Sequence, residues 1–219
     1  MNRAFWIVAI VLTACAWGAS ALAYPNLPES IPTHWNVHGE VDGRGGRWTV
    51  FLMPAVTTGL LIFFAFLPAL SPKSFEVDSF RPTYLYVMAV TVGLLVYVQA
   101  IILMAIFQEV GGVTWLDTGR ALTAGLLAFF GLIGGAMGKV RKNFYIRIRV
   151  PWTLASDRVW DDTHRLAAWV MVVGAVVGLA AVALGAPIPV AFGVLLATVL
   201  VPVVYSFLHY KALERRGAL

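Results

Sequence analysis

The sequence predicts an all-α integral membrane protein in which six transmembrane helices form a bundle and both termini lie in the cytoplasm. The first observation is composition: 60% of the 219 residues are hydrophobic and 12% are charged, with a mean hydropathy of +0.81, well beyond the values of soluble domains. The second is a set of six apolar runs, each long enough for an α-helix to cross a bilayer. The third is an uneven distribution of basic residues among the loops.

The basic residues orient the six helices. Thirteen of the sixteen Lys and Arg residues fall in the N-terminus, in loops 71–82 and 139–165 and in the C-terminal tail, whereas three fall elsewhere. Because cytoplasmic loops retain positive charge during insertion, this bias predicts that both termini are inside the cell. The same clustering at membrane ends explains the sequence pI near 9.6 without nucleic acid as a direct partner.

The six predicted spans follow in order along the chain. Residues 4–23 form the first, and this run also has features of a secretory signal, because Arg3 precedes it and small residues follow it. Cleavage there would also export residue 24, so the remaining topology is the same in either case. We expect an N-terminal two-helix domain in residues 1–70 and a four-helix domain in residues 71–219. The other spans are residues 49–70, 83–107, 119–138, 166–185 and 187–208.

The interiors of the predicted spans carry few polar groups. No Asp, Glu, Lys or His lies in the middle of any span, whereas ion-coupled transporters usually place ionisable residues there. Gln99 is the one strongly polar side chain inside the third span. Paired glycines let helix backbones approach closely in lipid, so we expect the fourth and fifth spans to pack against neighbouring helices. These pairs are Gly131/Gly135, Gly134/Gly138 and Gly174/Gly178.

Residues 24–48 form a predicted outer loop that is rich in Pro and Gly. Three prolines exclude a helix from its first half, and turn-forming glycines fold its second half on itself. His34, His38 and Asp42 are spaced four apart, so they either ligate Zn²⁺ or hydrogen bond to fold the loop. A membrane metalloprotein or enzyme that uses His34 and Asp42 is therefore one alternative function.

Residues 139–165 form a basic and aromatic loop between the fourth and fifth spans. They hold seven of the sixteen Lys and Arg residues. Residues 144–150 alternate between apolar and polar side chains, which predicts an extended segment suited to the headgroups of an anionic leaflet. Ser156 is a candidate N-cap for a helix that carries Trp160 into the fifth span.

Aromatic and basic candidates gather at the inner end of the fifth span. Arg149 offers a planar fork of donors, which can clamp a partner's carboxylate, a lipid phosphate or the loop's own acids. The whole set either binds a partner or lipid headgroup, or forms the aromatic and basic belt typical of membrane interfaces. Its members are Arg149, Trp152, Trp160, His164 and Arg165.

Two long motifs resemble known families. The outer motif resembles the signature of a bacterial membrane domain of unknown function and reads Leu27-Pro-x-x-Ile31-Pro-x-His34-Trp35-Asn36-x-x-Gly39-x-x-Asp42-Gly43. The inner motif resembles the SdpI family and reads Asn143-Phe-Tyr-Ile-x-Ile-Arg149-x-Pro151-Trp152-Thr153-Leu154, followed by Trp160-x-x-Thr163-His164-Arg165. Two positions depart from the family pattern, because Arg147 stands where the family usually has Gly and Val150 where it usually has Thr.

The resemblance implies a non-enzymatic protein of the bacterial plasma membrane that needs no cofactor or metal. The family's namesake is an immunity protein against a secreted killing peptide and also draws a repressor to the membrane. Besides the lipid bilayer, the implied partners are therefore an extracellular toxin peptide and a cytoplasmic repressor. A small-solute transporter is a further alternative. The implied partner-binding residues are His34, Trp35, Asn36, Gly39, Asp42, Asn143, Arg149, Pro151, Trp152, Trp160, His164 and Arg165.

Overall fold

The computed structural model describes residues 2–36, 38–70, 77–137 and 148–219. Within them, short 3₁₀ turns cover Tyr24–Asn26, Arg47–Phe51 and Val77–Phe80. The strands are β1 (Ser30–Trp35) and β2 (Val41–Gly46). The α-helices are α1 (Asn2–Ala23), α2 (Leu52–Leu70), α3 (Arg81–Gly111), α4 (Thr118–Met137), α5 (Pro151–Ala155), α6 (Asp157–Ala183) and α7 (Ile188–Arg215).

Six of the described helices, all except the short α5, are long and apolar enough to cross a membrane. The chain is therefore a multi-pass membrane protein, and these helices match the six predicted spans. The largest differences are at two boundaries, because α7 continues to Arg215 rather than ending at residue 208 and α6 begins at Asp157 rather than at residue 166. Ser156 caps this earlier start by accepting a hydrogen bond from the Val159 N–H at 3.5 Å, as the sequence predicted.

The hairpin of β1 and β2 corrects the prediction that the fold is all-α. The two strands pair antiparallel, with Ile31 opposite Gly45. A glycine-rich β2 permits this close pairing, since a Cβ added to Gly43 would lie 2.8 Å from the Cβ of His34. Ile31 is 1% exposed, which shows that the hairpin buries an apolar residue instead of projecting freely into solvent.

The described chain packs as two units, residues 1–126 and residues 127–219. The predicted division after residue 70 remains a prediction about domain organisation. The first unit has an apolar cluster that joins α1, the hairpin, the 3₁₀ turn before α2, and α3. Its buried members are Ala23, Leu27, Ile31, Val50, Leu103 and Ile106.

Gln99 makes a buried polar contact inside the first unit. Its side chain is 2% exposed, and its Nε2 donates to the Ser20 hydroxyl at 2.8 Å and to the Val50 carbonyl at 3.2 Å. A polar group buried in an apolar interior needs such partners. The polar residue singled out in the third span therefore holds α1, the 3₁₀ turn and α3 together.

Glycines let α6 approach its neighbours in the second unit. A Cβ added to Gly178 would lie 2.5 Å from Cδ2 of Leu127 in α4. A Cβ added to Gly174 would collide with Cγ2 of Thr198 in α7. Because only a hydrogen atom fits in these positions, the prediction that the fifth span packs against neighbouring helices is confirmed.

The α4 glycines that pack against a neighbouring helix are not the pairs expected from their spacing. A Cβ on Gly131 would lie 2.6 Å from the Cβ of Ala175, and one on Gly134 would lie 2.6 Å from the Cβ of Met171. A Cβ on Gly135 would meet nothing within 4 Å. Of the glycines in the expected α4 pairs, the packed ones, Gly131 and Gly134, are therefore three residues apart, and Gly138 lies outside the described residues.

We expect Gly134→Leu to lower the melting temperature of the purified protein in detergent, because the added side chain must displace Met171. Overpacking of this kind costs about 1–3 kcal/mol of unfolding free energy. Gly135→Leu is the matched control, one position along the same helix, and should leave the melting temperature close to that of the wild type. Equal destabilisation by the two substitutions would contradict the packing described for α4.

Candidate functional site

The hairpin (Ser30–Gly46) is bridged by two of the sequence-predicted candidates. The Nδ1–H of His34 donates to Oδ1 of Asp42 at 2.5 Å, and the two side chains are 71% and 44% exposed. His34 and Asp42 thus bond each other, which is the hydrogen-bonding alternative that their spacing left open. Across the described ranges, with the gaps given above, no group of three His, Cys, Asp or Glu side chains comes together to hold a metal ion.

Asn36 builds the turn at the tip of the hairpin. Its Oδ1 accepts the N–H groups of His38 at 2.8 Å and Glu40 at 3.0 Å, while its Nδ2 donates to Oε2 of Glu40 at 2.9 Å. Gly39 has a φ of 82°, a left-handed conformation that favours glycine. Asn36 and Gly39 therefore shape the turn, and the polar groups of Asn36 are used inside it.

A cleft of about 750 Å³ lies beside the hairpin tip. One wall is the hairpin, and the other is the end of α3 with the segment 112–118. Its volume is within the range of ligand pockets. We call it the Trp cleft, and its aromatic and polar lining includes Trp35, His38, Gln108, Glu109, Trp115 and Asp117.

Gln108 fixes the second wall of the Trp cleft. Its Nε2 donates to the carbonyl of Leu116 at 2.9 Å. Its Oε1 accepts the N–H groups of Trp115 at 3.1 Å and Leu116 at 2.6 Å. These three bonds hold the segment against α3 and leave the Trp115 side chain 58% exposed, so an aromatic surface is held at the cleft.

Two acidic residues of the cleft are held by arginines. Arg44 Nη2 in β2 donates to Oε1 of Glu109 at 2.8 Å, which ties the hairpin to α3. Arg120 donates through its backbone N–H and its Nε to the two oxygens of Asp117, both at 2.9 Å. On the hairpin side of the cleft, Trp35 and Gly39 were predicted from the sequence, whereas Glu109, Trp115 and Asp117 on the other side were not. The acidic residues and the Trp of the short segment between the third and fourth spans could have identified this side of the cleft.

His164 is the centre of the inner motif. Its Nε2 accepts the N–H of Ile148 at 3.1 Å, so the proton lies on Nδ1, which donates to the carbonyl of Trp160 at 2.7 Å. The Trp160 ring lies over the imidazole with centroids 4.5 Å apart, and His164 is 6% exposed. A buried imidazole thus holds the backbone that enters α5 against α6.

Trp152 and Thr153 connect α5 to its surroundings. The Trp152 Nε1–H donates to the hydroxyl of Ser206 in α7, and its ring packs edge-on against Phe207 with centroids 5.2 Å apart. The Thr153 hydroxyl accepts the N–H of Val150 at 3.1 Å and donates to the carbonyl of Val150 at 2.9 Å. Part of the predicted basic loop is therefore a helix, α5, which packs on α7.

The remaining inner candidates have different positions. Pro151 begins α5, and Arg149, Pro151 and Arg165 are exposed. Asn143 and most of the predicted extended segment 144–150 lie outside the described residues. Asp162, one acid available to Arg149 in sequence, accepts a hydrogen bond from Nε2 of His209 at 3.0 Å.

Comparison with known proteins matches two regions of the chain to protein families. Residues 11–58 match the domain of unknown function DUF1648, and residues 139–206 match the SdpI/YfhL protein family. The chain is 27% identical over 169 residues to Immunity protein SdpI of Bacillus subtilis (strain 168), a match that covers 76% of each protein. It is 38% identical over 47 residues to an uncharacterized protein of Archaeoglobus fulgidus, covering 22% of this chain and 26% of that one.

No solved structure matches the chain. The two family matches coincide with the two motifs identified in the sequence: the hairpin motif lies within residues 11–58 and the inner motif within residues 139–206. The chain therefore has a region that matches DUF1648 and a region that matches the SdpI/YfhL protein family, and it is similar to Immunity protein SdpI over 76% of its length.

Proposed function

We propose that this protein acts in the bacterial plasma membrane as an immunity or sensing protein that binds an extracellular peptide rather than catalysing a reaction. The observation that carries the proposal is the Trp cleft, where Trp35 and Trp115 line a space of about 750 Å³. Tryptophan is enriched among the residues that dominate binding energy at protein interfaces. The similarity to Immunity protein SdpI supports an immunity role.

In the proposed orientation, the Trp cleft lies outside the cell and the inner motif lies in the cytoplasm. The excess of Lys and Arg in the N-terminus, in loops 71–82 and 139–165 and in the tail supports this orientation. A peptide then reaches the cleft from outside, while a cytoplasmic repressor meets the surface around α5. The protein binds at both faces and performs no chemistry.

We expect the two faces to differ in thiol labelling. With the chain's single cysteine removed by Cys15→Ala, Val113→Cys in the segment of the Trp cleft should react with an impermeant maleimide on intact cells. Ala155→Cys, at the exposed end of α5, should react only after the cells are permeabilised. Labelling is measured by the mass shift of the purified protein, and the opposite pattern would overturn the orientation.

Cells that carry this chain should survive a secreted killing peptide better than the same sensitive strain with an empty plasmid. Trp115→Ala should lower the tolerated peptide concentration by about tenfold, which corresponds to a loss of about 1.4 kcal/mol of binding free energy. Trp48→Ala is the matched control, because Trp48 is 60% exposed and Trp115 is 58% exposed, but Trp48 does not line the cleft. No protection by the wild-type chain against any of a panel of such peptides would sink the immunity proposal.

The hydrogen bonds of His164 suggest that the inner motif supports the cytoplasmic surface instead of presenting each of its residues to a partner. His164, Trp160 and Thr153 are at most 6% exposed, so a repressor cannot read their side chains directly. Arg149 and Arg165 are exposed and remain the candidates for partner contact.

We expect His164→Ala to reduce the melting temperature in detergent, since it removes the acceptor of the Ile148 N–H. Loss of such a buried hydrogen-bond partner costs about 1–3 kcal/mol. Arg165→Ala, at the next position of the same helix, should leave the melting temperature unchanged because its side chain is exposed. If His164→Ala were as stable as Arg165→Ala, the supporting role would be wrong.

A further inference from the structure

The Trp cleft has an uneven distribution of charge. Glu109 and Asp117 line it, whereas the arginines bonded to them, Arg44 and Arg120, lie outside the lining. Among the described residues that line the cleft, the charged side chains are therefore the two carboxylates, with His38 as the one further titratable group. A ligand in the cleft can therefore contact two carboxylates, and no Lys or Arg is among the described residues that line it.

Both carboxylates can still accept a ligand's hydrogen bonds. Glu109 uses Oε1 for Arg44, and its Oε2 accepts no hydrogen bond from the described residues. The oxygens of Asp117 each accept one bond from Arg120, and a carboxylate oxygen has room for two. The side chains of Glu109 and Asp117 are 46% and 49% exposed, so a cation can reach them from solvent.

Two further features of the cleft favour positive charge. The faces of Trp35 and Trp115 attract cations through the quadrupole of the indole ring. The α3 helix ends at Gly111 beside the lining residues Glu109 and Gly112, and the C-terminus of a helix carries partial negative charge. The carboxylates, the indoles and the helix end all favour a positively charged ligand.

We infer that the Trp cleft binds a cationic, partly apolar segment of a peptide, with a Lys or Arg side chain directed at Glu109 and Asp117 and apolar side chains against Trp35 and Trp115. This inference rests on the proposed function and adds the chemistry of the ligand to it. A bare metal ion fits less well, because the cleft of about 750 Å³ is far larger than an ion needs. Its aromatic walls also offer contact area to an extended chain.

The test uses the full chain in an uncharged maltoside detergent and a pair of short fluorescein-labelled peptides. One peptide alternates Leu with Lys and the other alternates Leu with Glu. Fluorescence anisotropy, corrected for binding to empty micelles, should show binding of the Leu/Lys peptide and at least about tenfold weaker binding of the Leu/Glu peptide. Added salt should weaken the first interaction.

Two variants separate charge from hairpin anchoring. Glu109→Gln and Arg44→Gln both break the Arg44–Glu109 ion pair, but only the first removes a carboxylate from the cleft. Glu109→Gln should therefore weaken Leu/Lys binding by about tenfold, whereas Arg44→Gln should preserve or strengthen it. Glu29→Gln, at an exposed acid outside the cleft lining, should bind like the wild type.

Equal binding of the two peptides, or equal weakening by Glu109→Gln and Arg44→Gln, would overturn the inference. Those results would leave intact any protection that the chain gives to cells, because immunity does not require a cationic peptide. Conversely, charge-selective binding by a chain that protects no cells would support the inference and refute the immunity role.

Discussion

The Gln99 side chain is the contact on which the first unit depends. In an apolar interior, an amide without partners costs several kcal/mol, so the groups that satisfy it must stay within hydrogen-bond distance. Those groups are the Ser20 hydroxyl of α1 and the Val50 carbonyl of the 3₁₀ turn before α2. Val50 also belongs to the cluster that buries Ile31. The position of the hairpin along α3 therefore depends on the hydrogen bonds of the buried Gln99 amide.

The spans could be predicted because their signal is local. About twenty consecutive apolar residues identify a membrane helix whatever its neighbours are. The start of α6 was predicted too far along the chain because its first turns, after Ser156, are polar. The hairpin could not be predicted in the same way. Its strands contain Pro32 and several glycines, which are poor strand formers alone, and they are held by the burial of Ile31 and by Arg44 bonding to Glu109.

The residues of the candidate site also differ in whether the sequence could predict them. Trp35 and Gly39 were available from the hairpin motif, but Glu109 lies 65 positions from its partner Arg44, and no pattern in one sequence connects them. Gly134 and Gly135 make the point on a smaller scale. Both belong to glycine pairs with helical spacing, and only the position of Met171 distinguishes the packed glycine from the open one.

The three hydrogen bonds of Gln108 limit which residues can replace it. One bond uses the amide as a donor to Leu116, and the other two use it as an acceptor from the N–H groups of Trp115 and Leu116. Glutamate has nearly the same shape, yet its carboxylate would set an oxygen against the Leu116 carbonyl. Leucine would leave all three backbone groups without their side-chain partner. Deamidation of this one side chain, a chemical change of a single nitrogen to oxygen, would therefore loosen the wall that carries Trp115.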